Sequence, residues 1–255
     1  MYSILEHYLS TNHILMIGMI VTFILTFFLL EHPFSFLPSD QGRAFAVNGS
    51  LSKGKLRGVG FIFVLCFLIS SGLFLPIDVE YVIYAILLFA MMISGYLDDA
   101  SKTPWNEYKK GLIDLVISVV AVLTYMNFNS TTICFGADEI VIPKALFLIL
   151  GVILIWVSVN VTNCTDGVDG LCASLCSVTL LAFGVLFAPI LQKYAMANFL
   201  FLSVLFAYLY FNSSPSSMLM GDAGSRALGF YIAVIALKST HPFIYILLAA
   251  VMIVD

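Results

Sequence analysis

The sequence predicts an all-α, polytopic integral membrane protein, on three observations. Apolar residues make up 61% of the 255-residue chain and charged residues only 10%, with a mean hydropathy of +1.05. Its uncharged runs are long enough to cross a bilayer, for which about 20 residues suffice. They are also uniformly apolar rather than alternating, so helices that satisfy their own backbone hydrogen bonds fit them and barrel strands do not.

In chain order the spans are expected at about residues 13–30, 59–77, 79–96, 111–126, 144–161, 170–191, 195–211 and 227–240, bounded where charged and turn-forming residues interrupt the apolar runs. Before the first, residues 1–10 carry Glu6 and neither Lys nor Arg. This does not fit a cleaved secretory leader, so the first span is retained. The second encloses Cys66, and the third closes on Asp98 and Asp99. The fourth follows Lys109 and Lys110, and the fifth begins at Lys144. Between the fifth and sixth lies the polar stretch NVTNCTDGVDGL, and the eighth follows MGDAGS. A ninth run starts near Pro242 and reaches Asp255 after about 13 residues, too short to cross roughly 30 Å of hydrocarbon. The chain is therefore expected to lack its C-terminal part. Residues 1–255 are read as one transmembrane helical domain, with loops at about 31–58, 97–110, 162–169 and 212–226.

Of the five cysteines, Cys66 lies in a span, Cys134 is alone in its loop, and Cys164, Cys172 and Cys176 surround one motif. That is no disulfide framework. The neighbourhood of the three supplies no fourth zinc ligand, so small helix-packing residues are the better reading.

Basic residues set the orientation, because Lys and Arg accumulate in cytoplasmic loops. Eight of the eleven (Arg43, Lys53, Lys55, Arg57, Lys102, Lys109, Lys110 and Arg226) fall on one side if the loops alternate. Lys144, Lys193 and Lys238 fall on the other. The N-terminus is then outside, and three acidic clusters face the cytoplasm together: Asp98 with Asp99, Asp166 with Asp169, and Asp222. Carboxylates near hydrocarbon are costly and mark functional sites by default, so the shared side points to one composite pocket.

Several carboxylates without matching histidines or thiolates suit a hard cation such as magnesium, Mg²⁺, which commonly bridges to substrate phosphates. Metal-assisted phosphoryl transfer is the natural reaction class. Asn160, Thr162, Asn163, Thr165, Gly167 and Gly170 surround one acidic pair, and Gly221, Gly224 and Ser225 surround Asp222. Glycine lets a backbone approach a ligand closely, and the helix start after Asp222 offers amides to an anion.

In these motifs, their order and their spacing, the chain resembles the polyprenyl-phosphate N-acetylhexosamine-1-phosphate transferases over most of its length. TDGVDGL with Thr165, Lys102 four residues after Asp98, and GSRALG from Gly224 to Gly229 look like the family's peptidoglycan branch. The resemblance implies UDP-MurNAc-pentapeptide and undecaprenyl phosphate as substrates, lipid I and UMP as products, and Mg²⁺ as cofactor. It also implies about ten spans in the bacterial plasma membrane, both termini outside, a homodimer, and no nucleic-acid partner. By the same resemblance Asp222 is the metal ligand, and Asp98 and Asp99 are the catalytic pair nearest the transferred phosphate, one of which deprotonates the lipid phosphate. Asn163, Asp166 and Asp169 line the nucleotide and diphosphate pocket with Gly167 and Ser225. Lys102 contacts the uridine side, and Lys53 aligns with a basic residue of the first loop.

Three features depart from that branch. It carries a Thr-Pro-Thr-Met-Gly-Gly stretch where this chain reads KLRGVGF from Lys55 to Phe61. Leu219 stands where many relatives place an aromatic residue that can stack on uracil, and Asp114 where a lysine or neutral residue is common. The family's histidine-rich loop would fall beyond Asp255.

Lys109 and Lys110 read best as topology anchors, and Asn160 and Asn163 are also candidates for interhelical hydrogen bonds. None of the four histidines is assigned chemistry. Within the enzyme class the alternative donor is UDP-GlcNAc, giving GlcNAc-1-phosphate transfer. An ion-coupled transporter would instead place its charges near the midplane with an internal repeat. Here the charges lie at span ends, and no repeated motif pair is evident.

Overall fold

In the computed structural model, residues 1–32, 34–40, 42, 52–101, 103, 105–136 and 138–254 are described. The helices are α1 (Tyr2–Leu5), α2 (Thr11–Glu31), α3 (Gly60–Phe74), α4 (Val79–Asp99), α5 (Glu107–Phe128) and α6 (Lys144–Thr165). They continue as α7 (Leu171–Leu186), α8 (Ala188–Leu191), α9 (Lys193–Asn212), α10 (Gly221–Lys238), α11 (Pro242–Leu248) and α12 (Ala250–Val254). Five of them, α2, α4, α5, α6 and α9, are long and apolar enough to cross a membrane, and α3 and α7 are shorter apolar helices. The chain is a multi-pass membrane protein: seven of the eight expected spans overlap these seven helices, and the eighth, 227–240, overlaps α10.

Several helix starts are written into the sequence as caps. The Ser10 hydroxyl accepts from the His13 amide, the Asp78 carboxylate from the Tyr81 amide, and the Asn106 side chain from the Tyr108 amide. Each satisfies an amide that has no partner within its own first turn.

Two features differ from the expectation. Between α5 and α6 the chain forms an antiparallel hairpin, β1 (Thr132–Phe135) and β2 (Asp138–Val141), a small insertion where a plain loop is expected in an otherwise helical fold. Its strands alternate too briefly for the pattern to stand out, and the turn carries Gly136 at φ 65°. Second, α10 begins at Gly221, about six residues before the expected span, so Asp222, Ser225 and Arg226 lie in a helix rather than a loop. Likewise α4 runs through Asp99 and α6 through Thr165, shortening both neighbouring loops.

Helix α10 is the axis of the bundle, buried at every residue from Gly221 to Leu237. It packs chiefly on α4 and α6, with α3, α7 and α5 completing the sleeve. The α4 crossing is close enough that a Cβ at Gly95 would come within 2.3 Å of the Asp222 carbonyl oxygen. Small residues permit such approach in membrane bundles, where dispersion between helices replaces the hydrophobic effect. At the far end of the same helices, Lys238 ion-pairs with Glu80 at 3.0 Å and donates to Asn129 at 2.7 Å. This polar rung ties the end of α10 to the start of α4 and the end of α5. Eighteen residues of α4 separate Glu80 from Asp98, about 27 Å along a helix, which is close to the thickness of the hydrocarbon layer. The acidic motifs thus occupy one end of the bundle.

Candidate active site

The end of α4, the starts of α5 and α10, and the end of α6 converge there. The segment before α3 aligns them. Leu56 bridges Ser39 on one side and Met218 on the other, and the Leu219 amide donates to the Leu56 carbonyl at 2.8 Å. The Gly60 amide donates to the Met220 carbonyl at 3.0 Å. This pairing lays Arg57 directly over the start of α10.

Arg57 joins three acids. Its Nε donates to Asp99 at 2.8 Å, Nη2 to Asp222 at 3.4 Å and Nη1 to Asp40 at 3.3 Å. Burial works against its charge, but Asp99, Asp222 and Asp40 hold its pKa above the ordinary arginine value. Lys110, near the start of α5, joins Asp98 at 2.7 Å and Asp222 at 3.2 Å. Asp98, Asp99 and Asp222, scattered over more than a hundred positions, are thereby gathered around two shared cations.

The two neighbouring aspartates of α4 are not equivalent. Asp99 accepts from the Ala223 amide at 3.1 Å, so it caps α10 from another helix, where a negative charge also suits the helix dipole. Gly221 stands at φ 65°, and a Cβ there would lie 2.4 Å from the Asp99 carboxylate. Only glycine serves both conditions. Asp98 accepts from the Trp105 amide at 2.7 Å and faces Lys110. It is therefore the less enclosed of the pair, with the Asp99 side chain fully buried.

The remaining expected residues distribute as follows. Asn163 donates to the Ser225 hydroxyl at 2.8 Å, which donates to the Gly221 carbonyl at 3.0 Å, tying α6 to the first turn of α10. Asp166 is buried at the end of α6, and Gly167 is exposed in the following turn. Asp169 lies in an adjoining cluster, accepting from the Ser216 amide and hydroxyl at 2.9 and 2.7 Å with Lys55 3.8 Å away. Partial burial would raise its pKa, but those Ser216 hydrogen bonds and the Lys55 charge hold it below the usual carboxylate value. It pins the 213–219 loop that leads into α10. Lys53 sits on an exposed turn, while Lys55 and Arg57 make the contacts of that segment. Lys102 lies outside the described residues.

Arg57, Lys110 and Asp40 were not singled out as site residues. Lys110 read as an anchor beside Lys109, whose ammonium lies over the Trp105 ring at 3.2 Å. Asp114, noted only as a departure, ion-pairs with Arg226 across α5 and α10.

Among the described residues no three metal-binding side chains form a closed cage. The donor set nevertheless fits magnesium, which is typically held by one or two carboxylates together with substrate phosphates. The four carboxylates of Asp40, Asp98, Asp99 and Asp222 outnumber Arg57 and Lys110. The excess negative charge favours a divalent cation beside Asp222.

Glycosyl transferase family 4 matches residues 81–240. Over 261 residues the chain is 34% identical to a phospho-N-acetylmuramoyl-pentapeptide-transferase of Treponema pallidum (strain Nichols), covering 94% of this chain and 72% of that protein. It is 28% identical over 264 residues to the Halalkalibacterium halodurans protein of the same name, covering 96% and 81%. The likeness to the Wolinella succinogenes protein of that name is 29% over 242 residues, covering 83% and 68%.

Proposed function

The chain belongs to glycosyl transferase family 4, and from that premise we propose that it transfers phospho-N-acetylmuramoyl-pentapeptide from its UDP ester to undecaprenyl phosphate, releasing UMP and forming lipid I for peptidoglycan synthesis. The observation that carries this reading is the convergence of Asp98, Asp99 and Asp222 around Lys110 and Arg57 at one end of the bundle.

In the proposed reaction an oxygen of the lipid phosphate attacks the β-phosphorus of the donor. A new O–P bond forms as the bond from that phosphorus to the bridging oxygen breaks, and UMP leaves with the electron pair. Asp98 takes the proton when the lipid phosphate arrives protonated, since Asp99 is committed to capping α10 and holding Arg57. Lys110 and Arg57 balance the charge of the phosphates and hold them in line, and positioning of this kind supplies much of phosphoryl-transfer catalysis. Asp222, with Asp98 beside it, would hold Mg²⁺, which would neutralise charge on the transferring phosphoryl group. Direct attack is favoured over a covalent aspartyl phosphate, because holding both phosphates in line already supplies the positioning and charge balance that the transfer needs.

The site faces the cytoplasm of a bacterial cell and the N-terminus lies outside. That orientation is supported by the basic residues gathered at the site's end of the bundle. The test is UMP release from purified full chain supplied with undecaprenyl phosphate and magnesium. Release is expected with UDP-MurNAc-pentapeptide and not with UDP-GlcNAc, and in sealed vesicles only when the donor reaches the cytoplasmic face. Equal release from UDP-GlcNAc would overturn the donor assignment. No release from either would overturn the transferase reading.

A further inference from the structure

One turn deeper than Asp222, α10 carries an arginine in the bundle interior. Arg226 is 2% exposed, as is its partner Asp114. Asp222 and Arg226 stand four residues apart on α10, and Lys110 and Asp114 four apart on α5, so each pair shares a helix face. The two helices meet as a crossed ladder. Lys110 of α5 pairs with Asp222 of α10, and one turn on, about 6 Å along the axis, Arg226 of α10 pairs with Asp114 of α5. The second rung repeats the first with the signs exchanged between helices.

The rungs differ in saturation. Only Nη2 of Arg226 reaches Asp114, and its Nε and Nη1 have no hydrogen-bond acceptor among the described residues. Buried donors without partners are rare and costly, and guanidinium carries more of them than any other side chain. An ion pair kept for packing alone is seldom better than apolar residues of the same volume. Arg226 also lines a cleft of about 220 Å³ with Lys110, Asp114, Trp156, Asn160 and Asn163. Trp156 and Asn160 are exposed on its rim, so the cleft opens sideways between the ends of α5 and α6. Among the described residues its lining sets Arg226, Lys110 and the side-chain amides of Asn160 and Asn163 beside the carboxylates of Asp114 and the exposed Glu107, Lys110 being shared with Asp98 and Asp222.

We propose that Arg226, oriented by Asp114, binds a phosphate oxyanion of a reactant in this cleft, beside Lys110 and one turn from the reacting acids. Guanidinium suits that task, being permanently charged and matched to phosphate geometry. The proposal rests on the phosphosugar-transfer reading for the identity of the ligand. The phosphate can come from the lipid acceptor or from the nucleotide donor, and the test separates the two.

The detergent-purified chain is titrated with inorganic pyrophosphate while its unfolding temperature is followed, and KM is measured for each substrate. Three variants are compared with the unsubstituted protein: Arg226→Leu combined with Asp114→Leu, Arg226→Lys, and Asp114→Asn. Pyrophosphate is expected to raise the unfolding temperature of the unsubstituted protein and of Asp114→Asn. The double variant, which leaves no buried charge unpaired, should fold with a much smaller rise, the part that Lys110 and Arg57 still supply, and Arg226→Lys should show an intermediate one. KM should climb at least tenfold in the double variant for one substrate, with kcat changing less. Undecaprenyl phosphate as that substrate assigns the acceptor, and the UDP-sugar assigns the donor.

An unchanged rise in the double variant or in Arg226→Lys, no rise in the unsubstituted protein, or unchanged KM for both substrates overturns the proposal. A rise that depends on Arg226, in a protein that releases no UMP, overturns the transfer reading and leaves the phosphate site standing. Normal UMP release with normal KM in the double variant does the reverse.

Discussion

Arg57 spans three carboxylates that no other described cation covers together. Replacing it by methionine would leave buried acids facing one another, and breaking a buried pair costs about 3–5 kcal/mol. The expected outcome for Arg57→Met is a loss of UMP release of about a hundredfold or more, with a lower unfolding temperature. Wild-type values for both would show that Arg57 is incidental. The acids themselves were legible in the sequence, because a carboxylate in so apolar a chain needs a reason to be there. Their cations were not. The positive-inside rule already accounts for lysine and arginine in these loops, so Arg57 and Lys110 stood out no more than Lys109. Their partners follow only once residues 56–60 pair with 218–220 and α5 lies against α10. The Asp114–Arg226 pair was hidden for the same reason, its members being 112 positions apart.

Among the elements, α10 departs furthest from its sequence signal. Its first turn holds Gly221, Asp222, Gly224 and Ser225, which read as a loop because glycine and charge both weaken an apolar helix pattern. Tertiary contacts override that preference. Asp99 caps the first turn, Arg57 and Lys110 neutralise Asp222, and α4 packs against the backbone at Gly95. The long apolar helices carried their own signal in length and composition, and their boundaries moved by only a few residues. The hairpin carried none, since four-residue strands give two alternations at most. Gly95→Ala tests the α4 and α10 crossing. Its new methyl would meet backbone rather than a movable side chain, and overpacking of that kind costs about 1–3 kcal/mol. A lower unfolding temperature and reduced UMP release are expected together, because Asp98 and Asp222 are carried on the two helices that would be forced apart. An unaffected Gly95→Ala protein would show that the crossing is looser than described.

For the molecule as a whole, a buried axial helix brings a polar rung to each end of the bundle, Glu80 with Lys238 at one and the acidic cluster at the other. The sequence placed all the acidic motifs on one side by loop charge alone, and the structure gathers them at one end. Loop charge gives only a side, however, and the joining of α4 to α10 into one centre is the central claim. A double-mutant cycle on kcat/KM for UMP release measures it, using Asp98→Asn, Asp222→Asn and both together, each checked for a wild-type unfolding temperature. Groups that act as one unit are strongly non-additive. Each single variant should therefore lose about a thousandfold or more, and the double variant little beyond the worse of the two. Losses that simply multiply, or a folded single variant with near-normal turnover, would contradict a shared site.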